Sequence, residues 1–320
     1  MQKHFVADCE ERPGAAWLDR FNAGRQATES WYRGEGLADP PSAVECRVAL
    51  KRHMPELVPH YDHVCALVGE DDMAHRILSH YRPPPIPHGC SQAVWLGEGG
   101  PALVRNYDYP LEIVSDRFEM TCWFGRRVIA KAQRPWGGCL DGMNESGLVA
   151  SLTFGGSRRQ GRGFSIILML RYVLETCRNV TEAIATLSRL PVALSQNVTL
   201  LDRTGAYATL FLGPGRTPAV TLLRACTNHQ ETPSGPDSAL RQEVLLDLLS
   251  VPTMTLQTLI ARFLDAPLYS RRANFTTAYT AVYRPAEGRV EYLWPGKVWH
   301  HSFDHFNTGG YTHDYGDLMP

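Results

Sequence analysis

Four prolines within five residues break this sequence near residue 85 and limit the folds that the chain can adopt. The stretch runs Arg-Pro-Pro-Pro-Ile-Pro-His-Gly from Arg82 to Gly89. Proline has no backbone N–H and a fixed φ, so this stretch is incompatible with a helix and is expected to be extended. The sequence differs in character on its two sides, and the stretch therefore divides the chain into two parts.

The part before the break, residues 1–81, is predicted to be helical. Apolar residues recur at helical spacing over 15–31 and again over 42–80. The alternation of apolar and polar residues that is typical of strands is not visible there. We therefore expect a helical N-terminal segment, 1–89, that ends in the proline-rich stretch.

The part after the break, 90–320, alternates between predicted strands and predicted helix pairs. Short β-branched and aromatic runs bounded by Gly, Pro and Asp indicate strands, and longer amphipathic segments indicate helices. Strands are predicted at 91–96, 102–107, 118–124, 127–133, 148–154, 197–202, 207–212, 219–226, 275–283 and 290–294, and helices at about 165–177, 181–189, 237–249 and 255–265. Asp237 or Ser238 is expected to cap the third of these helices. This order predicts an α+β fold with helices packed on layered sheets.

Composition narrows the functional classes. The chain has 320 residues, of which 44% are apolar, and its 32 basic and 33 acidic residues leave a net charge of −1. Without a basic excess, nucleic acid is not an expected partner. No apolar signal segment and no stretch long enough to span a membrane are visible, and the eight cysteines form no CxxC pair. We expect a cytoplasmic protein with reduced thiols and no membrane partner.

Three residues near the break are candidates for chemistry. Cys90 opens the first predicted strand directly after the proline-rich stretch, where it is either a buried filler residue or a nucleophile. Arg105 and Asp108 follow in the next strand. They would lie on opposite faces of an ideal strand, although the turn before Pro110 could bring both toward one site. An ordinary structural ion pair is the alternative for these two.

Two asparagine-centred segments are also candidates. Asn144 lies in Asp-Gly-Met-Asn-Glu-Ser-Gly-Leu at 141–148, which is predicted to be a turn-rich loop that enters a strand. Asn228 lies in Thr-Asn-His at the end of another predicted strand. A side-chain amide offers an uncharged N–H donor that suits an oxyanion, but a single asparagine is more often a turn residue with local hydrogen bonds.

Metal and cofactor sites have little support. His300, His301, Asp304 and His305 cluster near the C-terminus, and Cys226 with His229 has CxxH spacing without a second pair. Neither pattern is sufficient for a metal site. The serine-hydrolase motif GxSxG and the nucleotide-binding motif GxxxxGK do not occur. No metal and no cofactor are therefore expected.

In combination, these motifs resemble the acyl-CoA:6-aminopenicillanate acyltransferase family, which is related to the choloylglycine hydrolases among the N-terminal nucleophile hydrolases. The resemblance covers most of 43–306. It rests on Gly-Cys at 89–90, Arg-Asn-x-Asp at 105–108, Asp-Gly-Met-Asn-Glu-x-Gly-Leu at 141–148, Asn-x-Thr-Leu-x-Asp at 197–202, Thr-Asn-His at 227–229, Asp-Ser-x-x-Arg at 237–241 and the segment 292–299. Gln230 departs from the aromatic or small apolar residue expected after Thr-Asn-His.

The resemblance implies a four-layer αββα sandwich and a precursor that cuts itself between Gly89 and Cys90. An N-terminal cysteine carries its own base, because its α-amine has a pKa of about 7.7–8.0 in model peptides and can accept the thiol proton. The extended stretch before Cys90 would present the bond to be cut. The two fragments, 1–89 and 90–320, are expected to stay associated.

The resemblance also implies roles for individual residues. Cys90 would be the nucleophile and base, Asp108 would hold the α-ammonium, and Arg105 would lower the pKa of the thiol or contact the acyl carbonyl. Asn228 would donate to the oxyanion, with Asn144 as the second donor. Arg241, at a helix start, is expected to bind substrate, with a surface ion pair as the alternative.

The function that follows is an amidase or acyltransferase that acts on a small-molecule amide or thioester through a Cys90 acyl-enzyme. An acyl-CoA or another acyl thioester is a candidate co-substrate. The alternative is a catalytically inactive or unprocessed member of the same fold, with 1–89 covering the site, which acts as a binding module. The sequence leaves open the substrate, the choice between hydrolysis and transfer, and self-association into a homo-oligomer.

Overall fold

The computed structural model describes residues 1–34, 40–85, 89–133, 136–232 and 236–319. In chain order, the first elements are β1 (Gln2–Cys9), α1 (Ala15–Gly34), α2 (Ala43–His53), a short 3-10 helix (Pro55–Leu57), α3 (Val58–Val68), α4 (Asp72–Ser79), β2 (Gly89–Trp95), β3 (Ala102–Tyr109), β4 (Arg117–Thr121), β5 (Val128–Gln133), β6 (Gly138–Asn144) and β7 (Val149–Phe154). They are followed by α5 (Ile166–Thr176), α6 (Val180–Arg189), β8 (Gln196–Leu201), β9 (Tyr207–Leu212), β10 (Ala219–Thr221), β11 (Ala225–Cys226), α7 (Pro236–Ser250), α8 (Leu256–Phe263), β12 (Arg271–Arg272), β13 (Phe275–Arg284), β14 (Arg289–Trp294), β15 (Lys297–Ser302) and β16 (Gly309–Asp314).

The strands form two sheets that pack face to face. One sheet has nine strands in the order β10-β9-β8-β7-β6-β5-β4-β1-β16. The other has the order β11-β2-β3-β13-β14-β15, with β12 paired to β13. Neighbouring strands are antiparallel except for β1 and β4, which are parallel.

Helices cover both outer faces of the sheet pair. Helix α5 packs on β6 and β7 of the nine-stranded sheet, α7 and α8 pack on β2 and β3 of the other sheet, and β2 contacts β7 between the sheets. One apolar core lies between the sheets and under α5, and a second lies between the seven-stranded sheet and the α7–α8 pair. The layer order is therefore helix, sheet, sheet, helix, and the predicted α+β sandwich is confirmed.

The N-terminal segment departs from the helical prediction at its start. Helices α1 to α4 occupy most of it, and Ser42 caps α2 in a capping box with Glu45. Gln2–Cys9, however, is strand β1, which lies between β4 and β16 with Phe5 and Ala7 buried. The helical prediction is wrong for this stretch because the two partner strands come from distant parts of the chain. Residues 86–88 of the proline-rich stretch lie outside the described residues.

Three further predictions need correction. Residues 141–144, the first half of the segment 141–148 predicted as a turn-rich loop, belong to the fully buried strand β6. The predicted strand 219–226 is two strands, because β10 joins the nine-stranded sheet and β11 joins the other. Helix α7 begins at Pro236, so neither Asp237 nor Ser238 is its N-cap.

Candidate active site

Cys90 lies between the two sheets at the start of β2. It stands opposite Tyr107 of β3 in the antiparallel ladder. Side chains alternate between the two faces of a strand. Cys90 and Val94 belong to the core between the sheets, whereas Ala93 belongs to the core under α7 and α8. The thiol therefore points into the interior of the sandwich.

Arg105 of β3 contacts this thiol directly. Its Nη2 lies 3.0 Å from Cys90 Sγ, and both side chains are fully buried. Its Nη1 donates to Leu140 O at 3.0 Å and to Ser151 Oγ at 3.2 Å. The guanidinium is thus held on the side away from the sulfur by the nine-stranded sheet, and its remaining terminal nitrogen is directed at Cys90 Sγ.

Asp141 of β6 is a member of this cluster that the sequence analysis did not single out. It forms a buried ion pair with Arg105, with 2.6 Å between Nη1 and Oδ2. Burial opposes the charge of Arg105, but Asp141, Cys90, Tyr279 and Tyr283 together outweigh burial and raise the pKa of the guanidinium. The sequence signal was present, since residue 141 opens the motif that was used for the resemblance. Its turn-like composition hid the fact that the side chain points into the core.

Arg241 of α7 contacts the backbone of Cys90 from the opposite side of the sheet. Its Nη1 donates to Cys90 O at 2.8 Å and to Ser91 Oγ at 2.6 Å, and it lies 3.4 Å from Asp108 Oδ2. Its Nη2 donates to Asn228 Oδ1 at 2.8 Å. Arg241 therefore lies at the site, where it organises Cys90. The substrate contact that the sequence predicts for it stays a prediction.

Asn228 connects the backbone of Cys90 to Arg241. Its Oδ1 accepts from Cys90 N at 3.0 Å as well as from Arg241. Its own backbone N–H donates to Ser238 Oγ at 2.9 Å, which fixes the turn that carries it against α7. The amide oxygen is thus committed to the main chain of Cys90, and donation by the amide nitrogen to an oxyanion stays a prediction.

Asp108 lies on the other face of β3 from Arg105. It stands opposite Gly89, and its Oδ1 accepts from Thr277 Oγ1 at 2.6 Å. Burial raises the pKa of this carboxyl, although the charge of Arg241 opposes the shift. Arg105 and Asp108 therefore lie on opposite faces of β3, as expected for an ideal strand. Arg105 reaches the thiol from one face, while Asp108 reaches the backbone of Cys90 through Arg241 on the other.

Asn144 is not brought into this group by the contacts that it makes. Its Nδ2 donates to Leu174 O at 2.8 Å and to Cys177 O at 2.7 Å, and its Oδ1 accepts from Leu148 N at 3.0 Å. Both amide hydrogens are used at the end of α5, where helical carbonyls lack intrahelical partners. In this arrangement both amide hydrogens of Asn144 are already used, and the role of second oxyanion donor that the resemblance implies for Asn144 and its backbone stays a prediction.

Burial dominates the acidity of the thiol. It raises the pKa of Cys90 to about 12, against the opposing effect of Arg105, and the Asp108 charge adds to the increase. In this closed arrangement the thiol is neutral near pH 7. A thiolate then forms only when a base takes the proton during the reaction, or when the surroundings of the sulfur open to water.

A comparison with protein families assigns the chain. The model of the family described as acyl-coenzyme A:6-aminopenicillanic acid acyl-transferase matches residues 95–299. The matched range contains Arg105, Asp108, Asn228 and Arg241, and begins shortly after Cys90. The chain belongs to this family.

Solved structures with low sequence identity resemble this family member. A mutant of conjugated bile acid hydrolase from Clostridium perfringens is 12% identical, with a TM-score of 0.47, over 72% of this chain and 98% of the other. Penicillin V acylase from Agrobacterium tumefaciens is 15% identical, with a TM-score of 0.48, over 67% and 86% of the two chains. An N-acylethanolamine-hydrolyzing acid amidase ortholog from Caenorhabditis elegans is 14% identical, with a TM-score of 0.47, over 72% and 100%. No curated protein matches the chain.

Two cavities of this family member lie beside the elements that hold Cys90. One, of about 190 Å³, is lined by Arg241, Phe275, Tyr269 and neighbouring residues of α7 and the β12–β13 turn. The other, of about 580 Å³, is lined in part by Gln230 and Arg216. Gln230 donates to Gln196 O and Leu212 O, which explains its departure from the family pattern as a tie between the Thr-Asn-His turn and two strands.

The histidines near the C-terminus do not gather into a metal centre. His300 faces Glu291 at the surface, while His301 is buried among the rings of Tyr292, Trp299 and Phe306. Across the described ranges, no three His, Cys, Asp or Glu side chains are placed to hold a metal ion. In the same ranges, no helix has the length and apolar character needed to cross a bilayer.

Proposed function

We propose that the protein is a self-processing cysteine amidase or acyltransferase that forms a Cys90 acyl-enzyme after cleavage between Gly89 and Cys90. The substrate would be a small-molecule amide or an acyl thioester. Membership of the acyltransferase family supports the reaction class. The identity of the nucleophile rests on the geometry around Cys90.

The contact between Arg105 Nη2 and Cys90 Sγ carries this proposal. The two atoms are 3.0 Å apart inside a fully buried site, and Arg241 donates to the carbonyl oxygen of the same residue. Among the contacts within the described part of the chain, no other cysteine combines a guanidinium at its sulfur with a second arginine at its main chain. A guanidinium so placed stabilises a thiolate as it forms. An ordinary core cysteine has no need of two buried arginines, which are costly to desolvate.

Cleavage would convert an existing contact into a base site. Cys90 N donates to Asn228 Oδ1 at 3.0 Å in the continuous chain. As a free α-amine, the same nitrogen would keep this acceptor, and as an ammonium it would lie close to the Asp108 carboxylate across the ladder from Gly89. The amine then takes the thiol proton, which the buried thiol does not release by itself near neutral pH.

The proposed reaction has two steps, acylation of Cys90 and transfer of the acyl group. The Cys90 sulfur attacks the substrate carbonyl as its proton passes to the α-amine, and the tetrahedral oxyanion collapses with loss of the amine or thiol, which takes that proton. Water or an acceptor amine then attacks the thioester, the α-amine takes its proton, and the proton returns to the Cys90 sulfur as the acid or amide leaves. Asn228 is the proposed oxyanion donor.

The two fragments would remain together after the cut. Strand β1 belongs to fragment 1–89, yet it pairs with β4 and β16 of fragment 90–320 inside one sheet. Phe5 of β1 contacts the rings of Phe118 and Trp294. Separation would expose these rings and break two strand ladders, so the fragments stay associated without a covalent bond.

Intact-mass measurement of the purified protein tests the processing step. The wild-type protein is expected to give fragments 1–89 and 90–320, and Cys90→Ala is expected to remain one chain. Asn144→Ala is the matched control, because both amide hydrogens of Asn144 are bound by Leu174 O and Cys177 O, and cutting should still occur. A wild-type chain that stays whole while it turns over amides would contradict self-processing.

A second measurement separates hydrolysis from transfer. An acyl thioester is supplied with a panel of amines, and the products are scored as amide or free acid. Amide formation shows transfer, because an amine has then taken the acyl group from Cys90. Free acid with every amine shows that water is the only acceptor, and that the protein is a hydrolase.

A binding module of the same fold is the second candidate, and the complete burial of Cys90 in the continuous chain favours it. The test is thiol labelling of the purified protein with a small alkylating acyl mimic. A processed enzyme should label Cys90 faster than the other seven cysteines. Labelling of Cys90 as slow as that of buried Cys139, with no cleavage, would favour the binding module, and exposed Cys9 serves as the positive control for the reagent.

A further inference from the structure

A buried charge cluster lies behind Arg105, on the side away from the thiol. Its centre is the Asp141 carboxylate of β6, which is fully buried. Arg105 of β3 approaches Asp141 Oδ2 at 2.6 Å, and Lys131 of β5 stands directly opposite Asp141 in the β5–β6 ladder. The carboxylate therefore lies beside the Arg105 guanidinium and opposite a lysine, in a place that a core normally fills with apolar side chains.

Two tyrosines of β13 complete the coordination of this carboxylate. Tyr279 donates its hydroxyl proton to Asp141 Oδ2 at 2.6 Å, and Tyr283 donates to Oδ1. The phenols and Arg105 together supply donors to both oxygens. A buried network in which both carboxylate oxygens accept hydrogen bonds holds its members in one arrangement. Strand β13 belongs to the same sheet as β3, whereas Asp141 belongs to the opposite sheet.

We propose that Asp141 is a positioning residue that holds the Arg105 guanidinium against the Cys90 sulfur. This inference rests on the proposed role of Cys90 as nucleophile. Arg105 Nη1 is held by Asp141, Leu140 O and Ser151, and this leaves Nη2 directed at Cys90 Sγ. Asp141 is the charged member of this set, and charge-assisted hydrogen bonds are about twice as strong as neutral ones.

The role acts through Arg105 because Asp141 and Cys90 lie on opposite sides of the guanidinium. The direct effect of the Asp141 charge on the thiol has the opposite sign, since a nearby anion disfavours a thiolate. The titratable or charged groups that interact with the carboxylate include Arg105 on β3, Lys131 on β5 and Cys139 on β6. They also include four phenols, of Tyr107 on β3, Tyr279 and Tyr283 on β13 and Tyr292 on β14. Burial keeps the four phenols neutral across the pH range of enzyme assays.

A double-mutant cycle between Asp141 and Arg105 tests the proposal. The probe is iodoacetamide, and the readout is the rate of Cys90 alkylation, resolved from the other cysteines by peptide mass. In the wild-type background, Asp141→Asn is expected to slow alkylation about tenfold, a coupling within the range seen for contacting residues. In an Arg105→Ala background, the same change should alter the rate less than about twofold.

The direction of the effect separates positioning from a field effect. Slower alkylation that depends on Arg105 supports positioning. Faster alkylation would show that Asp141 acts on the thiol only by its charge, and an equal loss in both backgrounds would show a purely structural role. Either result would overturn the proposal.

Two further variants guard against a folding defect. Tyr283→Phe removes one donor and leaves the Asp141 charge in place, so a smaller loss of the same kind is expected. Glu175→Gln is the matched control, because Glu175 is also a buried carboxylate beside an arginine, Arg171, on α5. It should leave the Cys90 rate unchanged. A loss at Glu175→Gln equal to that at Asp141→Asn would contradict the proposal.

The double-mutant cycle measures the rate of Cys90 alkylation and not the turnover of substrate. Its failure can therefore be distinguished from failure of the proposed function. If the wild-type chain stays uncut and inactive but the cycle shows coupling, the positioning role stands and the proposed reaction falls. If the protein is cut and active but the cycle is additive, the reaction stands and the role of Asp141 falls.

Discussion

Replacing Arg241 should destabilise the fold far more than replacing a half-exposed arginine on the neighbouring helix α8. Arg241→Met keeps most of the side-chain volume and removes the charge. The acceptors Cys90 O, Ser91 Oγ, Asp108 Oδ2 and Asn228 Oδ1 then each lose a donor inside the core. Removal of one partner from a buried ion pair costs about 3–5 kcal/mol, and four lost hydrogen bonds at about 1 kcal/mol each give a similar figure.

Urea unfolding in a Cys90→Ala background is the appropriate assay, because every variant then remains one chain. We expect Arg241→Met to lower the free energy of unfolding by about 3 kcal/mol or more. Adding Asp108→Asn should recover about 1–2 kcal/mol, since it removes the carboxylate that has lost its cation.

Arg262→Met on α8 is the control. Its guanidinium is 48% exposed and lies 4.0 Å from the Asp265 carboxylate, so its loss should cost less than about 1 kcal/mol. Equal losses for Arg241→Met and Arg262→Met would refute the reasoning, because the buried contacts would then contribute no more than a solvated pair.

Three other predictions follow from the same contacts. Gly89→Ala should slow self-cleavage at least tenfold, as followed by intact mass, because the added Cβ would lie 2.0 Å from the Phe275 ring; Phe275→Leu should restore part of the rate, and no restoration would exclude this clash as the cause. Asn144→Ala should lower the free energy of unfolding in urea by about 2–4 kcal/mol, because three hydrogen bonds are lost. It should change the turnover rate less than about threefold. A hundredfold loss of turnover would show instead that Asn144 donates to the oxyanion. Burial lowers the pKa of His301 to about 4 from 6.5, so the unfolded chain binds the proton more readily between these values and stability falls as the pH falls through this window. His301→Phe should therefore remove about 2 kcal/mol of destabilisation at pH 5, and an unchanged slope of stability against pH would disprove the assignment.

The sheet core could be predicted because its pattern is local. Strands such as Tyr207–Leu212 and Phe275–Arg284 alternate or are continuously apolar, and their composition is sufficient to identify them. The strands Gln2–Cys9 and Gly309–Asp314 lack such a pattern, and each depends on the other and on partners far away in the chain. Long-range pairing of this kind leaves no periodic signal in a short window.

Strand β6 shows how a turn-like composition can conceal a strand. Gly142 is required there by packing, since an added Cβ would lie 2.8 Å from the Ala130 and Leu174 side chains. Asp141 is tolerated because Arg105 neutralises it. The residues responsible, Ala130, Leu174 and Arg105, lie in a neighbouring strand, in a helix and in the other sheet. The motif at 141–148 therefore identified the family without revealing that its first residue lies at the site.

Most of the residues around Cys90 could be predicted from the motifs, but the hydrogen bonds that they make could not. The motifs pointed to Arg105, Asp108, Asn228 and Arg241, and the structure places all four around Cys90. Sequence spacing could not show that α5 ends with unpaired carbonyls that take both amide hydrogens of Asn144. Which donors are already used is a property of the packed structure.

The position of β1 beside β16 has a practical consequence for the chemistry at Cys90. The two strands are antiparallel neighbours with Gln2 opposite Asp314, and the Met1 amine donates to Gly316 O at 2.7 Å. A short loop could therefore join the end of β16 to the start of β1 as a hairpin. A circular permutant built in this way would begin at Cys90 and end at Gly89. After removal of its initiator methionine, such a chain would carry a free Cys90 α-amine from synthesis, with no peptide bond left to cut.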